Sequence, residues 1–288
     1  MMCSSLYAQN FVGVEVGGQL PFMKDKISLT SSKVGFGGEV GFVYEWHRNH
    51  FMFQTGLQYA LVCPQLRIED QELEQAMLDT RGVPFIYRGS MAERTDRMCA
   101  GQLLLPLYIG GMWHGLYVLA GVKLGVNLHA KSVQKAQLKT AGDYIDRYYE
   151  WLENMPNHGY HDYLPVKSSH SMQLSLIDIR FGGELGYAFN LGPTNRRTQP
   201  PMMRIGLFAE YSALDMRSKE SYQSTTPRTQ PDYSQYMSVD MTHIYASQDA
   251  QASPANLITC GLRVTVLFPL RNPYSSNYNY PCRCLTDW

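Results

Sequence analysis

Gln173–Asn190, read as QLSLIDIRFGGELGYAFN, alternates strictly between two kinds of residue. Ile177, Ile179, Phe181, Gly183, Leu185, Tyr187 and Phe189 lie on one side of an extended chain. Asp178, Arg180, Gly182, Glu184 and Gly186 lie on the other. A period of two is the signature of a β-strand with two unlike faces. The run is also far longer than the five or so residues of an ordinary globular strand.

The same pattern recurs seven times, in Asn10–Leu20, Lys33–Trp46, His50–Val62, Met98–Gly110, Gly115–Leu128, Met202–Leu214 and Ala255–Leu270. Each run is long enough to cross a bilayer at a tilt. Their apolar faces are aliphatic and bounded by aromatics. Mid-strand charge falls on the glycine-bearing face, at Glu15, Glu39, Lys123, Asp178, Arg180, Glu184, Arg204, Glu210 and Arg263, with Gln54 and Gln58 on the third strand. One or two charges per strand are too few for a water-facing wall. The apolar face is therefore expected outward, in lipid, and the charges inward, five acids against four bases. Eight strands enclose a space just wide enough for side chains. Buried charges in it must pair.

The connections are roughly 12, 3, 35, 4, 44, 11 and 40 residues long. After the first, short and long alternate. His47–Asn49, Gly111–His114 and Leu191–Pro201 fall on one side; Cys63–Arg97, His129–Met172 and Asp215–Pro254 fall on the other. An up-and-down barrel puts every second connection in the same compartment, and outer-membrane barrels keep short turns inside and long loops outside. The expected fold is thus all-β: an eight-stranded antiparallel up-and-down transmembrane β-barrel over residues 10–270. Helical patterning at Gln71–Thr80 and Asp143–Asn154 adds short helices to the outer loops. Cys99–Val122 carries no charge over a helix-spanning length, but its glycines and Pro106 divide it into two strands.

Composition agrees. The 288 residues carry 25 Lys+Arg against 25 Asp+Glu, so no basic excess exists for nucleic acid. Charged residues are 17% and aromatics 12%, an unusual balance for a cytosolic enzyme. Residues 1–9, MMCSSLYAQ, read as a signal-peptide remnant, and 271–288 as a periplasmic tail. Export permits oxidation, and Cys63 and Cys99 bracket an outer loop at adjacent strand ends, a candidate disulfide.

These residues resemble the PorT-like outer-membrane β-barrel proteins of Bacteroidota. The likeness rests on Tyr7-Ala8-Gln9, Leu103–Tyr108, Leu119–Gly125, Asp178–Gly186 and Ala209-Glu210-Tyr211, with a final strand, Gly261–Phe268, like an assembly signal. The 18-residue tail after that strand departs from the pattern. The resemblance implies a location in the outer membrane of a Gram-negative bacterium. Some family members assist type IX protein secretion; many have no assigned role.

Sites are few. Tyr144, Tyr148, Tyr149, Trp151, Tyr160 and Tyr163 form either a sticky interaction surface or the packing of a loop cap. His158, His161 and Asp162 lack a fourth ligand, so no metal and no cofactor are expected. No Gly-x-Ser-x-Gly or HExxH motif is present, and His129, His161, His170 and His243 show no catalytic spacing. The expectation is a non-enzymatic anchor, scaffold or secretion-associated barrel with a closed lumen. Its partners would be outer-membrane lipid and other envelope or secretion proteins. The alternatives are a small-solute channel and a soluble lipocalin-like barrel with its faces reversed.

Overall fold

A computed structural model describes residues 8–24, 30–78, 82–144, 151–155, 160–192, 200–216, 228–230, 238–241 and 255–270. Thirteen strands occur among them: β1 (Ala8–Lys24), β2 (Thr30–Arg48), β3 (Phe51–Ile68), β4 (Gln71–Leu78), β5 (Pro84–Trp113), β6 (Leu116–Asp143) and β7 (Trp151–Glu153), followed by β8 (Leu164–Ser171), β9 (Ile177–Asn190), β10 (Met202–Ser212), β11 (Arg228–Gln230), β12 (Ser238–Asp240) and β13 (Asn256–Pro269). Eight of them close a ring by antiparallel pairing, in the order β1-β2-β3-β5-β6-β9-β10-β13 and back to β1. Closure leaves no free edge around the wall. The fold is an eight-stranded up-and-down barrel.

Register places the start of β1, the end of β13 and the short turns at one end. Ala8 faces Arg48, Phe51 faces Gly111, Trp113 faces Leu116, Met202 faces Asn190, and Phe11 faces Pro269. The turns are tighter than the sequence suggests. Strand β5 runs to Trp113, and His114-Gly115 alone closes the hairpin with φ of 51° and 91°. Positive φ at both positions is the type I′ geometry that matches strand twist. The first strand begins at Ala8, inside the stretch read as a signal remnant, whereas β9 begins only at Ile177. Residues 1–7 and the tail 271–288 lie outside the described residues.

The larger correction concerns the outer loops. Strands β5 and β6 have 30 and 28 residues and stay paired from Trp113↔Leu116 out to Ile86↔Asp143. Much of what reads as loop is a sheet standing on the barrel rim, widened by β4 on β5 and by β7 and β8 on β6. No helix occurs among the described residues. Gln71–Leu78 forms β4, not a helix, because pairing with Pro84–Met91 satisfies the backbone edge of β5. The helix expected at Asp143–Asn154 is, where described, the end of β6 and the strand β7 paired back onto Ala141–Asp143; residues 145–150 lie outside the described set.

The wall is apolar outside and polar inside. Phe42 is 71% exposed, Leu207 66% and Phe181 54%, while Arg180, Arg204 and Arg263 are fully buried. This is the reverse of a soluble lipocalin, and that alternative is discarded. From Val34 to Tyr44 the exposed belt runs ten residue steps, about 26 Å at about 3.4 Å per residue and a tilt of roughly 40°. Tyr44, Trp46, Phe51, Trp113, Tyr187, Phe189 and Phe268 gather at its turn end.

Candidate functional site

The barrel interior is layered. Nearest the turns lies an apolar plug of Phe11, Val43, Met52, Tyr108, Tyr117, Leu119, Ala188, Met202 and Leu267. At the outer end lies a second, of Met23, Val62, Leu66, Ile68, Met98, Ala100, Met216, Ala255 and Leu257. Most of the ionised side chains fill the space between.

Arg263 on β13 is the hub. Its Nε and Nη2 lie 2.5 Å from Glu39 Oε1, its Nη1 2.5 Å from Glu184 Oε2, its Nη2 3.2 Å from Glu210 Oε1, and its Nε 3.9 Å from Glu15 Oε2. The guanidinium also sits over the Phe208 ring, 4.4 Å from its centroid. Lys123 Nζ reaches Glu210 at 2.5 Å and Glu39 at 3.4 Å. Arg180 pairs with Asp178 at 2.7 Å, reaches Glu210 at 3.7 Å, and donates to Gln102. Ser212 donates to the other oxygen of Asp178 at 2.6 Å. Gln58 donates to Glu15. Eight of the nine charges read from the sequence thus meet in one buried network, and Arg204 adjoins it through the Tyr117 ring, whose centroid lies 4.7 Å from its guanidinium.

The lumen has a tenth charge. Glu45, fully buried on β2, pairs with Arg204 Nη2 at 2.6 Å and with His47 Nε2 at 2.8 Å. It shares the parity of Glu39 and Gly41, and that parity was the available signal. The lumen therefore holds six carboxylates against four cations. Tyr117 donates to Glu184 at 2.5 Å and Tyr108 to Glu210 at 3.4 Å. These two rings and Phe208 also stand at inward parity; their hydrophobicity hid them from a reading that looked for polar residues.

Glycines provide the space. A Cβ on Gly17 would stand 2.8 Å from Glu39 Oε1, and one on Gly206 would meet Tyr117 Oη and the Glu184 side chain. Backbone sites without side chains are what let four long cations fit in so narrow a ring.

Outside the lumen the proposed aromatic surface divides. Tyr160 is buried against Phe85 and Tyr87, and Tyr144 stacks on Phe85 at 4.8 Å. Both are packing residues. Trp151 and Tyr163 are exposed, the former 5.4 Å from the Arg88 guanidinium. Tyr148 and Tyr149 lie outside the described residues. Burial in this outer cluster pushes the Tyr87 phenol up to about 12. Met241 packs with Met91 and Leu138, tying the fourth outer connection to the same sheet. His170 Nε2 and Ser168 Oγ lie 2.6 Å apart on the solvent-exposed strand β8, far from the water-excluded geometry in which such a pair attacks. His158 and His243 lie outside the described residues.

Cys63 and Cys99 form a disulfide between directly opposed residues of β3 and β5, 36 residues apart in sequence. A bridge closing a loop of that length constrains the unfolded chain by about 3–4 kcal/mol. Reduction is expected to leave the lower barrel intact while opening residues 69–83 to protease, which limited proteolysis with and without reductant will show. Cys260 is a free thiol on the outer wall; Cys3, Cys282 and Cys284 lie outside the described residues.

No family model matches the chain, and no curated protein matches it. Among solved structures it is similar to Ail, the attachment invasion locus protein of Yersinia pestis. Ail alone gives 10% identity and a TM-score of 0.30. Ail in complex with the heparin analogue sucrose octasulfate gives 11% and 0.28. Each comparison covers 90% of this chain and 99% of that one. At those values the likeness adds no argument to the fold, which rests on strand pairing.

Proposed function

We propose that this chain is an outer-membrane β-barrel with a closed lumen, acting as an anchor that holds a sheet platform on the outer side of the membrane. The apolar belt carries the membrane reading. A continuous exposed apolar surface of about 26 Å is the height of a lipid-facing band, and in water it would aggregate. The location in a Gram-negative outer membrane rests on the same belt, because the closed barrels that span membranes with short inner turns and long outer segments belong there.

The observation that carries the anchor reading is the double plug. A solute would have to displace two apolar layers and a buried network of ion pairs, so the lumen serves stability and not transport. The reading is non-enzymatic, since the buried acids and bases engage one another. Participation in type IX-like secretion is the narrower form of the proposal and rests on the family resemblance alone.

Planar-bilayer recording tests it. The refolded chain is expected to insert without stepwise conductance. A steady open-state current would overturn the closed-lumen reading in favour of a small-solute channel.

A further inference from the structure

Just above the apolar belt, the outward faces of five neighbouring strands become basic. Lys33 on β2, Arg67 on β3, Arg97 on β5, Lys131 and Lys135 on β6, and Lys167 on β8 are all exposed. Pairing sets them in adjoining rows. Lys33 faces Gln65, which faces Arg97; Arg67 faces Thr95, Thr95 faces Lys135, and Lys135 faces Lys167; Lys131 faces Cys99, closer to the belt. At about 4.8 Å per strand and about 7 Å per two-residue step, the six cover roughly 20 by 14 Å.

Their neighbours in those rows are Gln65, Thr95, Val133, Ser169 and Ser171, all neutral. Among the described residues none of the six makes an ion pair. The nearby exposed acids are Glu93, at the β5 bulge beside Lys135 and Lys167, and Glu69, two residues beyond Arg67. Inward on the same strand, by contrast, Arg94 is paired with Asp96 at 3.2 Å. Six like charges this close repel unless an anion covers them. The band also begins where the belt ends. Val34, Phe36, Leu61 and Leu128 are exposed hydrophobics one to six residues away along the same strands, and the Arg97 guanidinium lies 5.2 Å from the Phe36 ring.

We propose that this band binds the phosphate groups of lipid headgroups in the leaflet surrounding the outer rim. The inference goes beyond the anchor reading and rests on its membrane component. Height selects the ligand: cations at the edge of a hydrocarbon belt meet headgroups, and guanidinium groups match phosphate oxygens in pairs. The attraction is electrostatic and weakens with salt.

The full chain, refolded in maltoside micelles, is mixed with diphosphoryl lipid A or with the same lipid stripped of phosphate, and retention is read by native mass spectrometry. The parent is expected to keep the phosphorylated lipid and lose the other. Arg67→Gln/Arg97→Gln/Lys135→Gln is expected to bind roughly a hundredfold more weakly while forming the same heat-stable barrel. Equal retention of the two lipids, or undiminished retention by the triple variant, would overturn the proposal. So would displacement of the lipid by an equal concentration of soluble pyrophosphate or a sulphated oligosaccharide. If the parent forms no heat-stable barrel in any lipid or micelle, the membrane reading fails and this inference with it.

Discussion

Replacing Arg263 by leucine is expected to leave the chain unable to form a heat-stable barrel. The guanidinium faces Glu15, Glu39, Glu184 and Glu210. Without it, Glu39 and Glu210 retain Lys123, but Glu184 and Glu15 lose the guanidinium each is paired with. Breaking one buried pair costs about 3–5 kcal/mol because a charge is left uncompensated. Two stranded carboxylates raise that toward the whole stability of a domain, about 5–15 kcal/mol. Arg263→Lys keeps the charge but not the fork, and should fold with a lowered urea midpoint. Adding Glu184→Gln to Arg263→Leu should recover part of the loss, since the two sites share one interaction. Heat-dependent mobility on gels and urea titration check all three. An Arg263→Leu protein that unfolds like the parent would show that the network does not hold the barrel.

The second large effect lies on the other face. Leu207→Arg puts a charge on the outer wall beside Leu185 and Leu262, well within the belt. In lipid this costs about 2–4 kcal/mol near the midplane. Around a soluble barrel, the same change would relieve an exposed hydrophobic and cost nothing. Ala76→Arg, exposed on β4 beyond the belt, is the control and should leave the midpoint unchanged. Urea titration in phosphatidylcholine vesicles separates the two, with a lower midpoint expected only for Leu207→Arg.

The barrel was legible in the sequence because its two faces differ chemically. Phe181 beside Arg180, or Leu207 beside Gly206, declares which side is which, and closure then follows from eight such runs. Legibility failed where the faces stop differing. Around Arg94-Thr95-Asp96-Arg97 both sides are polar, so the alternation vanishes although the chain remains in β5. Strand β4 failed for a related reason: Leu73 and Met77 stand at helical spacing, and only the unpaired edge of β5 dictates an extended chain. Within the lumen, Glu45 was readable by parity, as were Tyr117 and Phe208. The pairing pattern was not, since it depends on which strands close the ring. That Arg263 on the last strand meets Glu39 on the second follows only once β1 lies between β13 and β2.

The central claim is that the outer wall faces hydrocarbon, and the native thiol of Cys260 tests it without altering that wall. Cys260 stands opposite Leu20 and Ala209, two residues from exposed Leu262. With Cys3, Cys282 and Cys284 replaced by serine, a nitroxide on Cys260 can be read in phosphatidylcholine vesicles by its relaxation with oxygen and with a water-soluble nickel chelate. Relaxation dominated by oxygen is the predicted result. Relaxation dominated by the nickel chelate would put this face in water and contradict the account.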